Sequence, residues 1–225
     1  AAATETRSAD DPGDTGADFG FVRRIDVRPS EAGEAAVEAA YPDTPTVLAA
    51  IEATVPGRMR GPRKALGNAV VTGDRAHLTW EGERAIVESV DPRRNVFSRQ
   101  AAGERKIEQV VAANLDRVIV VASVQRPEFR HGFVDRVLVQ CERAEIPAFI
   151  ALNKTDLDTR NEVAEILAEY ERAGVEGFAM CAHSGAGIDA LRERCATGRS
   201  MFVGHSGVGK STLLLTIMGL TRISR

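Results

Sequence analysis

Gly204-His205-Ser206-Gly207-Val208-Gly209-Lys210-Ser211 is the stretch of this chain whose residue types and spacing point most directly to chemistry. It fits G-x-x-x-x-G-K-[ST], the pattern of a phosphate-binding loop. Glycine at 204, 207 and 209 lets backbone N–H groups turn inward around phosphate oxygens, where a Cβ would obstruct. Lys210 supplies a cation for β- and γ-phosphates, and the Ser211 hydroxyl is the expected ligand for Mg²⁺. Thr212 opens a helix whose unpaired N–H groups and positive dipole end face the same anion. The loop amides carry this binding, so His205, Ser206 and Val208 are read as loop positions and His205 is not assigned as a catalytic base.

Asn153-Lys154-Thr155-Asp156 supplies the second half of a nucleotide site. An Asp carboxylate can accept from the N1–H and exocyclic amine of guanine, a donor pair that adenine does not present. A site built on such groups rejects a ligand that leaves them unpaired. Asn153 is expected at the base edge, tying loops together, with the Lys154 stem lying over the ring. Cys181-Ala182 follows the apolar segment 177–180 and takes the place where GTPases usually carry Ser-Ala, whose backbone N–H groups meet the guanine O6. A backbone contact survives the exchange of Ser for Cys181, whereas a hydroxyl contact is lost. The alternative is that Cys181 is a small buried apolar residue.

The order of the two motifs is informative. Ordinary GTPases open with the phosphate loop and close with the guanine motif; here Asn153 precedes Gly204 by some fifty residues. That order indicates a circularly permuted GTPase. The elements needed to position it are legible. Arg117–Ser123 is a near-continuous β-branched run, as expected for a parallel strand covered on both faces. Ala148–Leu152 and Met201–Val203 are further apolar strands. Phe133, Val134, Val137, Leu138 and Cys141 recur at helical spacing, as do Val163, Ile166, Leu167 and Tyr170, and Ile188–Cys195 reads as a third helix. This makes Cys141 a core residue; His131 and His183 have no partner at metal or triad spacing and read as ordinary loop residues. The succession is that of an α/β fold with helices on both faces of a parallel sheet.

Upstream, the pattern changes. Residues 1–45 form an uncertain, acidic segment of net charge −6, with residues 1–20 expected to be disordered. Residues 46–100 carry a net +3 and read as short strands at Ala69–Val71, Ala76–Trp80 and Arg84–Val90, separated by turn signals. That suits a small β-barrel of the OB type, a common nucleic-acid binder. Arg58, Arg60, Arg63 and Lys64 form a basic loop that is the candidate RNA contact, with a solvated loop as the alternative, and Arg93, Arg94 and Arg99 extend the basic face. Trp80 is expected in the core, with stacking on a base as the alternative. Residues 101–225 form the third segment, charge-balanced, with Arg105–Val110 as the link into it. A hydrophobic content of 44% and a charged content of 27% are those of a soluble globular protein. Three cysteines without framework spacing suit a reducing cytoplasm, and no apolar run is long enough for a membrane span, so no membrane association is expected.

Taken together, Gly67–Asp74, Pro92–Arg99, Ala112–Val118, Asn153–Leu157 and Gly204–Thr212 resemble the ribosome small-subunit-dependent GTPases of the RsgA/YjeQ family. The resemblance covers about residues 68–213. It implies an OB-type barrel, a permuted GTPase domain and a C-terminal zinc-binding domain. It also implies GTP and GDP with Mg²⁺ as ligands, and a cytoplasmic, monomeric factor that binds the small ribosomal subunit and its rRNA late in assembly. The subunit stimulates hydrolysis in that family. The chain departs from the pattern in three ways. The switch segments expected after the phosphate-loop helix are not visible before Arg225, so the GTPase domain reads as incomplete at its C-terminal end. Cys141, Cys181 and Cys195 form no C-x-x-C pair, so the implied zinc has no ligands here. Leu214–Arg225 looks more like the continuation of an ABC-type ATPase. The rival readings are therefore an RNA-binding assembly factor that holds nucleotide without turnover, a large-subunit permuted GTPase, and an ABC-type ATPase.

Overall fold

The computed structural model describes residues 17–20, 53–54, 70–82, 84–100 and 108–217. Ten strands and four helices follow in chain order within these segments. β1 is Ala17–Gly20, β2 Ala53–Thr54, β3 Ala76–Glu81, β4 Arg84–Val90, β5 Val96–Gln100, β6 Glu108–Ala113 and β7 Arg117–Ser123. Helix α1 (His131–Arg143) leads to β8 (Ala148–Asn153), and α2 (Glu162–Arg172) to β9 (Gly177–Ala179). Helix α3 (Ile188–Cys195), β10 (Ser200–His205) and α4 (Lys210–Ile217) complete the order.

The main sheet runs β1-β10-β7-β8-β9. β10, β7, β8 and β9 pair in parallel, and β1 adds to the outer edge of β10 antiparallel, with Asp18 opposite Gly204. Side chains alternate strictly between two faces, as pleating requires. Val118, Val120, Ile150, Leu152, Met201 and Val203 point to the face covered by Phe133, Val134 and Val137 of α1 and Ile166 and Tyr170 of α2. Ile119, Val121, Phe149, Ala151 and Phe202 point to the opposite face, covered by Ile188 and Leu191 of α3 and Leu213 of α4. All the strand residues just named are at most 5% exposed, which is why these strands read as continuous apolar runs.

The chain steps from β7 to β8 to β9 in one direction, then returns through α3 to place β10 on the other side of β7. The strand order therefore reverses between β10 and β7. In open α/β sheets the crevice at that reversal, beyond the carboxyl ends of the strands, is where ligands bind.

Upstream, β2-β4-β3 form one small sheet and β5-β6 another, and an isolated parallel bridge ties Thr72, in the chain before β3, to Ala112 of β6. The expected strands at 76–80 and 84–90 are present, while the basic loop 58–64 lies outside the described residues. Four details correct the sequence reading. Val70–Val71 is not a strand: Asp74 accepts from the Val71 N–H at 2.8 Å and its own N–H closes the turn on Val71 O at 3.1 Å. A short polar side chain has captured a backbone donor that a ladder would otherwise use. Glu108–Val110 is not a linker but part of β6, paired to β5. Trp80 is 59% exposed rather than core. Arg93 and Arg94 are not a free basic face. Arg93 grips the buried Asp74 through Nε and Nη2, both at 2.8 Å, and Arg94 Nη2 donates to Leu115 O at 2.7 Å and Asp116 Oδ1 at 2.6 Å.

These arginines brace the upstream strands against the sheet. Gly73 O accepts from Asn114 Nδ2 at 3.0 Å and from Arg199 Nη1 at 3.3 Å, and Asp116 Oδ2 accepts from Arg199 N at 2.6 Å. Burial opposes ionisation of Asp116. The hydrogen bonds from Arg94 and the Arg199 backbone, with the charges of Arg94 and Arg117, nevertheless hold its carboxyl below the usual range. Arg199 immediately precedes β10, so this brace reaches the strand that carries the phosphate loop.

Candidate functional site

β10 runs straight into Gly204 and His205, the chain turns through 206–209, and α4 starts at Lys210. Strand, glycine turn and helix thus stand in the order that a phosphate-binding loop takes. Gly204 packs so closely on β7 that a Cβ there would lie 2.3 Å from Val121 O. Gly209 has φ +97°, and a Cβ on it would lie 2.3 Å from Asn153 Nδ2. Both positions require glycine, the second because another motif is already in contact. Lys210 is 7% exposed, its Nζ 2.9 Å from both Gly204 O and His205 O, so the ammonium lies within the curve of the loop. Ser211 and Thr212 are exposed in the first turn of α4. His205 is not a loop residue but the end of β10, its ring packed on Phe133 at 4.2 Å between centroids.

β8 ends at Asn153, 2% exposed. Its Nδ2 donates to Val208 O at 2.9 Å, and its Oδ1 accepts from Ala182 N at 3.1 Å. One side chain thereby joins β8, the phosphate loop and the 181–182 turn. Lys154 adopts the left-handed conformation, φ 61° and ψ 38°, which sends its side chain across the site. Its Nζ donates to Gly207 O at 2.6 Å and to Arg126 O. Thr155, through N at 3.3 Å and Oγ1 at 3.1 Å, is fixed to Met180 O. Asp156 stands exposed in the following 3₁₀ turn (Thr155–Leu157), with its Oδ1 accepting from Cys181 Sγ at 3.0 Å. Asn153 and Lys154 thus bond the phosphate loop directly, at the carboxyl ends of the strands where the strand order reverses.

Sequence reasoning missed two contributors. Asp158 accepts from the N–H groups of Arg160 (3.2 Å), Glu162 (3.0 Å) and Val163 (3.0 Å), so it caps α2 and anchors the far end of the 153–157 turn. The Val163 N–H leads the hydrogen bonds that hold the Asp158 carboxyl below its usual range. The signal was present: an aspartate just before a helical run is a cap candidate. The other is the Cys181 thiol, which makes the contact that exchanging Ser for Cys was expected to lose. His131 is likewise not a loop residue; it opens α1, stacked on Tyr170 at 6.1 Å. Arg58, Arg60, Arg63 and Lys64 lie outside the described residues.

A parallel sheet in which the phosphate loop follows, in chain order, the N-K-x-D turn it touches defines a circularly permuted P-loop GTPase fold. The comparisons agree. The family model described as RsgA GTPase matches residues 90–224. The small ribosomal subunit biogenesis GTPase RsgA of Histophilus somni (strain 129Pt) is 39% identical over 160 residues, 67% of this chain and 44% of that protein. The crystal structure of YjeQ from Thermotoga maritima aligns at 30% identity and a TM-score of 0.57, over 74% of this chain and 56% of that one. YloQ, described as a circularly permuted GTPase, aligns at 22% identity and a TM-score of 0.54 over 77% and 57%, a likeness of fold.

This chain belongs to the RsgA GTPase family. It spans about half the length of the relatives it matches. The family match continues to residue 224, through the segment that looked ABC-like, and so removes the basis of that reading. Among the described residues no helix is long and apolar enough to cross a membrane.

Proposed function

We propose that this chain binds and hydrolyses GTP as a cytoplasmic factor in late assembly of the small ribosomal subunit. The observation that carries the reading is the pair of bonds from Asn153 to Val208 O and from Lys154 to Gly207 O. They make one site of two motifs that the chain separates. Loop amides of 204–209 cradle the phosphates and Lys210 neutralises β- and γ-phosphate charge. Asp156 reads the guanine N1–H and amine, Asn153 the base edge, and the Ala182 region the O6, with the Lys154 stem over the ring. Ser211, with an exposed hydroxyl oxygen at the loop's end, suits a hard cation and is the residue that holds Mg²⁺, which supplies charge neutralisation when bound. Among the described residues no cluster of three or more His, Cys, Asp or Glu side chains is placed to hold a metal.

The upstream strands are the proposed rRNA contact. The exposure of Trp80 favours its alternative role as a stacking platform. The relatives' names support the small subunit as partner. The test is competition of GDP, GTP and ATP against a fluorescent GDP analogue in Mg²⁺, followed by turnover with purified small subunits. Displacement by guanine nucleotides alone and subunit-stimulated hydrolysis are expected. Equal displacement by ATP refutes the guanine assignment, and binding without stimulated turnover favours a nucleotide-holding assembly factor.

A further inference from the structure

A closed ring of hydrogen bonds ties the entries of β7 and β10 to the upstream strands. Arg94 Nη2 donates to Asp116 Oδ1 and Arg199 N to Asp116 Oδ2, both at 2.6 Å. Arg199 Nη1 and Asn114 Nδ2 both donate to Gly73 O, at 3.3 Å and 3.0 Å. Arg94 N closes the ring on Asn114 Oδ1 at 2.8 Å. The Asp116 carboxylate is thus divided, one oxygen serving the upstream segment and the other the residue before β10. Little slack surrounds it. A Cβ on Gly73 would lie 2.0 Å from Ala113 O, and one on Gly198 2.7 Å from Asp116 Oδ2. Asp116 N and Arg117 N both donate to Arg199 O, at 2.9 Å and 3.2 Å, so Arg199 is held through both its backbone groups.

The ring has the proposed rRNA contact on one side and the phosphate loop on the other. Arg93 and Asp74 fix the 71–74 turn, and β3, which carries the exposed Trp80, follows that turn at Ala76. β10 pairs with β7 from Ser200 to Val203 and delivers the phosphate loop at its far end. A strand rises by a nearly constant ~3.3 Å per residue. A displacement of Arg199 against Asp116 is therefore carried along β10 to Gly204, which packs on Val121 of β7.

We propose that Arg94 is a positioning residue that couples the upstream strands to the nucleotide site: through Asp116 it sets the entry of β10, so that rRNA bound upstream alters nucleotide affinity. The proposal rests on the GTP and rRNA reading above. Arg94 bonds to residues 114–116, at the opposite end of β7 from the nucleotide loops. Removing its side chain should spare nucleotide binding itself and act on the coupling. Such coupling is reciprocal, so nucleotide changes subunit affinity by the same factor.

The test measures GDP affinity of the full chain by fluorescent competition, with and without saturating purified small subunits, for wild type and Arg94→Ala. In wild type the subunit should change the GDP dissociation constant by at least about fivefold. In Arg94→Ala that change should shrink to about twofold or less, while the GDP affinity of the free chain and the subunit affinity of the nucleotide-free chain stay within about threefold of wild type. Arg199→Ala cuts the ring at Gly73 O and leaves the backbone bonds to residues 116–117 in place, so it carries the same comparison should Arg94→Ala fold poorly. A variant that keeps the wild-type ratio overturns the proposal, even if its Tm falls, because the ring then only holds the chain together. Loss of the ratio together with loss of subunit binding overturns it too, by making Arg94 an rRNA contact. A wild-type chain whose GDP affinity the subunit leaves unchanged refutes the coupling and leaves the GTPase reading standing. A wild-type chain that binds no GDP, or no subunit, overturns that reading and this proposal with it.

Discussion

Replacing Asn153 by alanine tests the central joint of the site. The side chain is 2% exposed and satisfies two partners that are themselves buried: the C=O of Val208, 3% exposed, and the N–H of Ala182, 7% exposed. Leaving a buried polar group unsatisfied costs about 1–3 kcal/mol, so the two together amount to about 2–6 kcal/mol. For a chain of this length each kcal/mol shifts Tm by about 2–4 °C, which puts the expected fall at about 4–24 °C. The assay is urea unfolding followed by tryptophan-independent circular dichroism, with thermal melts alongside. Asn153→Asp separates the two contributions. It keeps an acceptor for the Ala182 N–H but sets a carboxylate oxygen against the Val208 carbonyl, so it should also destabilise, with the loss concentrated at the phosphate loop. Hydrogen exchange at 205–209 should rise in Asn153→Asp more than at 180–182. An Asn153→Ala chain within about 0.5 kcal/mol of wild type would refute the claim that these bonds hold the loops together.

Three further outcomes follow from the geometry. Gly209→Ala places a Cβ on Asn153 Nδ2 at φ +97°, so nucleotide affinity should fall by at least about tenfold, read by the same competition assay. The Asp158 carboxyl is held below its ordinary 3.8 by the N–H groups at the start of α2. Its contribution to stability is therefore present above the unfolded-state pKa and lost as pH falls toward the folded value; Asp158→Asn should flatten the decline in urea midpoint below about pH 4. Burial pushes the Cys141 thiol up to about 12, so it should resist alkylation at pH 8 in the folded chain and react once urea unfolds it, as peptide mapping would show.

The sequence alone determined the site's components and the class of sheet. The phosphate loop and N-K-x-D turn are short contiguous patterns whose chemistry depends on local backbone geometry, and both emerged at strand ends as expected. The helix stripe of Phe133, Val134, Val137 and Cys141 is likewise a local periodicity, and those residues are buried as read. Tertiary structure decided which groups meet. Asn153 reaches Val208 across 55 residues, Lys154 reaches Gly207 across 53, and Cys181 reaches Asp156 across 25. No periodicity encodes such pairings, because they depend on where the return through α3 sets β10 beside β7. The same reason accounts for the misreadings. Arg93 and Arg94 look like solvated cations until the fold brings Asp74 and Asp116 against them. Val71 reads as strand until Asp74 takes its N–H. Trp80 reads as core from its residue type, yet its burial depends on which face of β3 is covered, and only the assembled chain sets that.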